Sequence, residues 1–167
     1  MYKQKGFDNM TNAELEKAVE CYRLMLVRLA YGCTGNHSDS EDIVQDAFVK
    51  LYLRSRSFPT DEDMKAWLIR VTVNMCKNHV KSWRMGKRSE IPEDIAGGDN
   101  FPEKTAVAEL LGKLKPIYKA VIYMHYYEGY SAAEIGRMLK ISETAVTTRL
   151  KRGRDTLRHI LDDEKVS

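Results

Sequence analysis

The stretch Ser131–Arg154, "SAAEIGRMLKISETAVTTRLKRGR", reads as two short helices joined by a tight turn. Ser131 and Glu134 match the S-x-x-E capping box that opens a helix. Ser142, after "KIS", is a good N-cap for a second one. Ile135 and Leu139 on the first helix, Ile141 in the turn, and Val146 and Leu150 on the second fall where they can close one small core. Gly136 sits where the two helices must approach closely. Glu143, Thr144, Thr147, Thr148, Lys151 and Arg152 are left facing outward. Arg149, Lys151, Arg152 and Arg154 then make a cationic tail with no acid among them. The pattern is that of a helix-turn-helix. Short hydroxyl side chains let a helix sit deep in a major groove, and the cations can neutralise phosphates. A DNA duplex fits opposite this helix better than a protein surface does.

Working outward, the chain has 167 residues, long enough for one ordinary domain or two small ones. It is 43% hydrophobic and 31% charged, which suits a soluble chain with a core. No apolar run approaches the roughly 20 residues of a membrane helix. The N-terminal stretch lacks the apolar core of a signal peptide, so a cytoplasmic location is expected. Cys21, Cys33 and Cys76 are scattered and form no C-x-x-C, which argues against a disulfide framework or a zinc site. No metal or cofactor is expected. The net charge is only +3, but the charges are segregated. Lys77, Lys81, Arg84, Lys87 and Arg88 form one basic segment, and residues 149–158 form a second. "SEIPEDIAGGDNFPE", between them, is acidic. Two separated basic segments suggest two contacts with one polyanion.

Helical spacing recurs throughout, and alternation at period two is absent, so the fold class is all-α. Leu15, Ala18, Val19, Tyr22, Leu26 and Leu29 share one side of a first helix. "TGNHSDS" reads as a turn, with Asp39 or Ser40 capping the helix "EDIVQDAFVKLYLR". In that helix Ile43, Val44, Ala47, Phe48 and Leu51 form the core stripe. Asp42, Gln45, Asp46 and Val49 fall on another face. A long helix is expected over about Asp63–Arg84, with Trp67, Leu68, Val71 and Met75 toward the core and Asn74, Lys77, Asn78 and Lys81 on a polar face. Helical patterning then stops until "KTAVAELLGKL", and Pro116 opens a further helix. The expected organisation is two small helical domains, 1–85 and 104–167, joined by a flexible acidic linker, 86–103, with the helix-turn-helix in the second.

At "DSEDIVQDAFVKLY", "AWLIRVTVNMCKNHVKSWR" and "YYEGYSAAEIGRMLKISETAVTTRLKRGRDTLR" the chain resembles bacterial RNA polymerase sigma factors of the sigma-70 family, extracytoplasmic-function group. The motifs occur in the family's order and span about Leu15 to Leu161. The resemblance implies a promoter-recognition factor that binds core RNA polymerase, with the polymerase rather than this chain doing the chemistry. Asp42, Gln45, Asp46 and Val49 would be the polymerase-docking face. Asn74, Lys77, Asn78 and Lys81 would read the −10 element as it separates, with Phe58 in the preceding loop helping to form a base pocket. Thr147, Thr148, Lys151 and Arg152 would make groove contacts at the −35 element, and Ser142, Thr144, Arg149 and Arg154 would contact the backbone or support the helix. The acidic linker would thread through the polymerase. Relatives are often held by an anti-sigma factor, a partner on which this sequence is silent.

Two features depart from the family pattern. Thr147 stands where relatives often carry Lys or Arg, and Lys140 replaces the Gly often found in the turn. A positive φ at Lys140 would cost of order 1 kcal/mol. The rival readings are a stand-alone helix-turn-helix regulator, which has no need of the Asp-Gln-Asp helix, and an enzyme such as a recombinase. His37, His79, His125 and His159 form no catalytic set with carboxylates or Cys. His125 reads as a packed helix residue.

Overall fold

The computed structural model describes residues 10–54, 57–86 and 113–166, the side chains of 80–86 excepted. Every regular element among the described residues is a helix. Helix α1 (Asn12–Thr34) starts on a capping box formed by Thr11 and Glu14. Helix α2 (His37–Tyr52) begins earlier than expected. Asn36, as good an N-cap as Asp or Ser, accepts from the Asp39 amide at 3.0 Å. Ser40 is therefore inside the helix, buried, its hydroxyl 2.5 Å from the Asn36 carbonyl. Helix α3 (Asp61–Gly86) starts two residues before its expected position because Thr60 caps it, accepting from the Asp63 amide at 3.2 Å.

Helix α4 (Pro116–Ile122) continues into a π-helical turn (Tyr123–Tyr127). Then come α5 (Ala132–Leu139) and α6 (Glu143–Val166), the helix-turn-helix pair. The Ser131–Glu134 capping box is present, and the Ser142 hydroxyl accepts from the Ala145 amide at 3.0 Å. Ile135, Val146 and Leu150 are buried as expected; Met138 is also buried, while Leu139 and Ile141 are only partly covered. Gly136 is required by proximity: a Cβ there would lie 2.9 Å from the Ile141 carbonyl oxygen. Gly153 on α6 makes room for Ile122, whose Cδ1 would lie 2.6 Å from a Cβ there and would have to turn aside.

Helices α1, α2 and α3 pack together, and Arg23 on α1 pairs with Glu41 on α2 at 2.6 Å. The buried stripe of α3 is Leu68, Ile69, Thr72, Val73 and Cys76. The expected stripe of Trp67, Leu68, Val71 and Met75 is displaced; only Leu68 is buried, and the other three lie at its margin. The displacement has a physical cause: α3 is covered by α1 and α2 and also by α4 and α5.

The two halves of the chain thus meet along a seam and share one core cluster. Lys119 on α4 donates to the Cys33 carbonyl at 3.4 Å. Arg70 on α3 donates to the Met138 carbonyl at 3.4 Å. The Lys65 ammonium lies 5.1 Å from the centre of the Tyr130 ring. Residues 87–103 of the acidic segment and the helix expected at "KTAVAELLGKL", apart from Lys113 and Leu114, lie outside the described residues.

Lys140, the C-cap of α5, has φ 55° and ψ 46°. Its left-handed backbone lets its amide reach the Arg137 and Gly136 carbonyls, at the expense of Cβ strain. Lys140→Gly should therefore raise stability by about 1 kcal/mol. The check is the urea midpoint followed by far-UV circular dichroism; an unmoved or lowered midpoint would mean that the turn carries no such strain.

Candidate nucleic-acid interface

Helix α6 divides cleanly. Val146, Leu150 and Gly153 are buried, while Ser142, Thr144, Thr147, Thr148, Lys151, Arg152 and Arg154 are exposed and Arg149 is half-buried. The sequence-predicted surface is therefore one continuous outer face. Three of its side chains are already engaged. The Ser142 hydroxyl caps the helix, and the Thr147 hydroxyl donates to the Glu143 carbonyl at 2.9 Å. Thr147 can still accept a hydrogen bond from an incoming donor. Arg154 donates to the Tyr126 hydroxyl at 3.2 Å, which holds its guanidinium beside the π-helical turn.

On α3, Asn74, Lys77 and Asn78 are exposed on one face, as expected. Lys81 belongs to the same helix, but its side chain lies outside the described set. His79 Nε2 lies 3.1 Å from Asp39 Oδ2, tying this polar face to the start of α2. Asp42, Gln45, Asp46 and Val49 are all exposed on α2, while Ile43, Val44, Ala47, Phe48 and Leu51 are buried beneath them. Leu53, just beyond the helix, is 74% exposed and extends that face with apolar surface.

Phe58 lies at the edge of a cleft of about 590 Å³ between the start of α1 and the α2–α3 loop. Its ring is tilted against Trp67, with centroids 5.8 Å apart. The Arg54 guanidinium stands 4.0 Å from the Phe58 centroid and 5.4 Å from that of Trp67. Arg54 Nη1 is buried without a hydrogen-bond acceptor. This arginine–aromatic stack was not anticipated from sequence. Nor were the Tyr126 contact to Arg154 and the Arg70 contact across the seam. No local motif encodes these pairs; Arg54 and Phe58 are only four residues apart, but Trp67, Tyr126–Arg154 and Arg70–Met138 join residues distant along the chain.

Burial lowers the Lys119 pKa, with Cys33 and Cys76 opposing weakly. Burial also tends to lower that of Lys65, but hydrogen bonding to Tyr130 and the charges of Glu128 and Glu62 raise it overall. His125 is partly buried, its Nδ1 2.7 Å from the Tyr130 carbonyl, in keeping with a packing residue. No group of three or more His, Cys, Asp or Glu residues among those described could hold a metal ion, and no described helix is long and apolar enough to cross a membrane.

Two family models match the sequence. "Sigma-70 region 2" matches residues 18–85 and "Sigma-70, region 4" matches residues 104–157. Among curated proteins, the ECF RNA polymerase sigma factor SigW of Bacillus subtilis is 29% identical over 167 residues, covering 87% of each chain. RNA polymerase sigma factor CnrH of Cupriavidus metallidurans is 30% identical over 142 residues, covering 75% of this chain and 74% of that protein. Among solved structures, the sigma factor RpoE of Bartonella quintana, crystallised with the anti-sigma factor NepR, superposes with a TM-score of 0.70 at 19% identity, covering 89% of this chain and 97% of that one. CnrH in complex with the cytosolic domain of CnrY gives 0.65 at 24% identity, covering 92% and 90%.

Phe58→Ala should lower stability by about 1 kcal/mol by removing an aromatic pair and the Arg54 stack. Trp67 should then emit at longer wavelength in a Trp83→Phe background. An unshifted emission would show that Phe58 does not shield the indole.

Proposed function

We propose a function that proceeds from family: this chain belongs to the sigma-70 family of RNA polymerase sigma factors, in the extracytoplasmic-function group. It binds core RNA polymerase, recognises −10 and −35 promoter elements and initiates transcription of a specific set of genes. The observation that carries this reading is the coincidence of two exposed polar helix faces with the two matched regions: Asn74, Lys77 and Asn78 in region 2, and Thr147, Thr148, Lys151 and Arg152 in region 4.

Each face has a distinct task. On α2, Asp42, Gln45 and Asp46 offer acceptors to Arg side chains of the polymerase, and Val49 adds apolar contact beside them. On α3, Asn74 and Asn78 can hydrogen-bond base edges while Lys77 and Lys81 hold the backbone of a separated strand. Phe58, backed by Arg54 and Trp67, forms one wall of a cleft suited to an unstacked base. A preformed wall offsets part of the few kcal/mol that unstacking costs. On α6, Lys151 and Arg152 present free donors to base edges or phosphates, Thr147 and Thr148 allow close approach, and Ser142, Thr144, Arg149 and Arg154 hold the helix to the backbone. The chain needs no cofactor and is not itself an enzyme; it acts in the cytoplasm, where the polymerase is. Residues 1–85 and 104–167 act as the two recognition domains and 86–103 as the tether. An anti-sigma factor is a further partner, on the precedent of the structural neighbours.

The two promoter elements stand roughly 25 base pairs apart by their names, which is about 85 Å along the duplex axis. A compact chain of this size is roughly 40 Å across. Both faces cannot reach their elements while α4 and α5 rest on α1 and α3. The working form is therefore an opened one, with the seam exchanged for contacts to the polymerase.

Gln45→Ala combined with Asp46→Ala should reduce co-purification with core polymerase at least tenfold while leaving the circular dichroism unchanged. Full retention would remove α2 from the docking surface. Arg152→Ala should weaken binding to a cognate promoter duplex in complex with polymerase, with a log–log salt slope shallower by about one. An unchanged slope and affinity would take Arg152 out of the interface.

A further inference from the structure

Arg54 stands two residues past the end of α2, half-buried, with its guanidinium over the Phe58 ring and beside that of Trp67. These neighbours offer π-faces and no acceptor. Among the described residues no carboxylate forms an ion pair with it, and Nη1 is buried with no hydrogen-bond partner. A buried donor left unpaired is costly and calls for an acceptor from outside the chain. The cleft of about 590 Å³ gives such an acceptor a way in, because Arg54 and Phe58 both line it. Glu14 and Asp61 line the same cleft, as does Lys17. Two carboxylates and two cations leave it without net charge, which favours a neutral occupant over a phosphate. The stack is also continuous with the polar face of α3. Trp67, Asn74 and Asn78 recur at i, i+7 and i+11, along one side of the helix.

We infer that Arg54 reads the unstacked base of the −10 element by donating to a base carbonyl, and so selects a carbonyl-bearing base over adenine. The inference rests on the promoter reading above and deepens it. Guanine, cytosine and thymine each carry a ring carbonyl, and adenine carries none. Cation–π contact with Phe58 and Trp67 holds the guanidinium plane, so a base edge entering the cleft meets donors already oriented. A turn of the guanidinium within its stacked plane brings Nη1 to the cleft without leaving the rings. A carbonyl there supplies the acceptor that the chain lacks. Adenine brings an amino group to the same edge, so donor faces donor and the guanidinium stays unpaired. Arg54 touches the base, while Phe58 and Trp67 position Arg54.

The test uses holoenzyme assembled from core polymerase and the full chain, on promoter fragments randomised through the −10 element, with the transcripts sequenced. At one −10 position adenine should be depleted about tenfold against the other bases, the discrimination of one good hydrogen bond. Arg54→Met keeps an apolar stem against the rings and removes the donors. It should abolish that depletion and leave preferences at the other −10 positions as they are. Arg54→Lys, which keeps the charge without the planar fork, should retain only part of the depletion. A second arm needs no variant to fold: a thiocarbonyl in the preferred base, a weaker acceptor, should lower promoter opening by the wild-type holoenzyme several-fold. With Arg54→Met that penalty should vanish. Three results would overturn the inference and leave the promoter reading standing: adenine tolerated at every −10 position, an unchanged base preference in an Arg54→Met holoenzyme that still transcribes, or no thiocarbonyl penalty with the wild-type chain. A wild-type holoenzyme that selects no start site would instead sink the promoter reading, and this inference with it.

Discussion

Helix α4 is buried on both sides, and the placement of the helix-turn-helix follows from that. Lys119, Ala120, Val121 and Ile122 are four consecutive buried positions, which a helix with one solvent face cannot have. On one side Ile122 reaches into the space left by the missing side chain of Gly153 on α6. On the other, Pro116 and Lys119 meet Cys33 at the end of α1. The helix acts as a wedge between the two units. Once it is seated, Met138 comes to Arg70 and Tyr130 comes to Lys65.

The wedge is held by apolar packing and weakened by charge. Each fully buried aliphatic side chain of α4 stabilises its surroundings by about 1.5–3 kcal/mol relative to exposure. Lys119 opposes this, because its ammonium leaves water for one carbonyl at the end of α1. That carbonyl belongs to a helix C-terminus, where a cation is favoured, so part of the cost is recovered. Among the described residues, the polar contacts across the seam include 3.4 Å hydrogen bonds from Arg70 and Lys119, the 4.0 Å approach of Cys33 Sγ to the Pro116 carbonyl, and a ring contact.

Features determined by neighbours in sequence were legible, and those determined by distant residues were not. The capping box at Ser131, the cap at Ser142, the two-sided α2 and the outer face of α6 each depend on spacings of three or four residues. The strain at Lys140 could be anticipated because the resembled family often carries Gly at this position in the turn, and the backbone there is left-handed. The buried stripe of α3 was misplaced because a single helical period cannot report cover from two directions. Ala120-Val121-Ile122, with no polar residue among them, was the available signal that α4 would be covered all round. Gly153 was readable only with Ile122 in view, thirty-one positions away. The stack of Arg54 on Phe58 and Trp67 was hidden because an arginine at a helix end is ordinarily a solvated cation.

The site geometry also sharpens which part of α6 can discriminate bases. Ser142 spends its hydroxyl on the cap, and Thr147 spends its proton on the Glu143 carbonyl. At Thr147 only acceptor capacity remains, which favours an amino group on the base opposite and disfavours a carbonyl. Arg154 is steadied by Tyr126 from outside the helix-turn-helix, an arrangement suited to clamping a phosphate at a fixed position rather than searching along a groove. Lys151 and Arg152 keep their donors and their reach. On the proposed reading, base discrimination by donated hydrogen bonds would concentrate at Lys151 and Arg152, between two and three turns inside α6. The strained turn at Lys140 and the bare Cα of Gly136 let α5 and α6 cross closely enough to hold that segment outward.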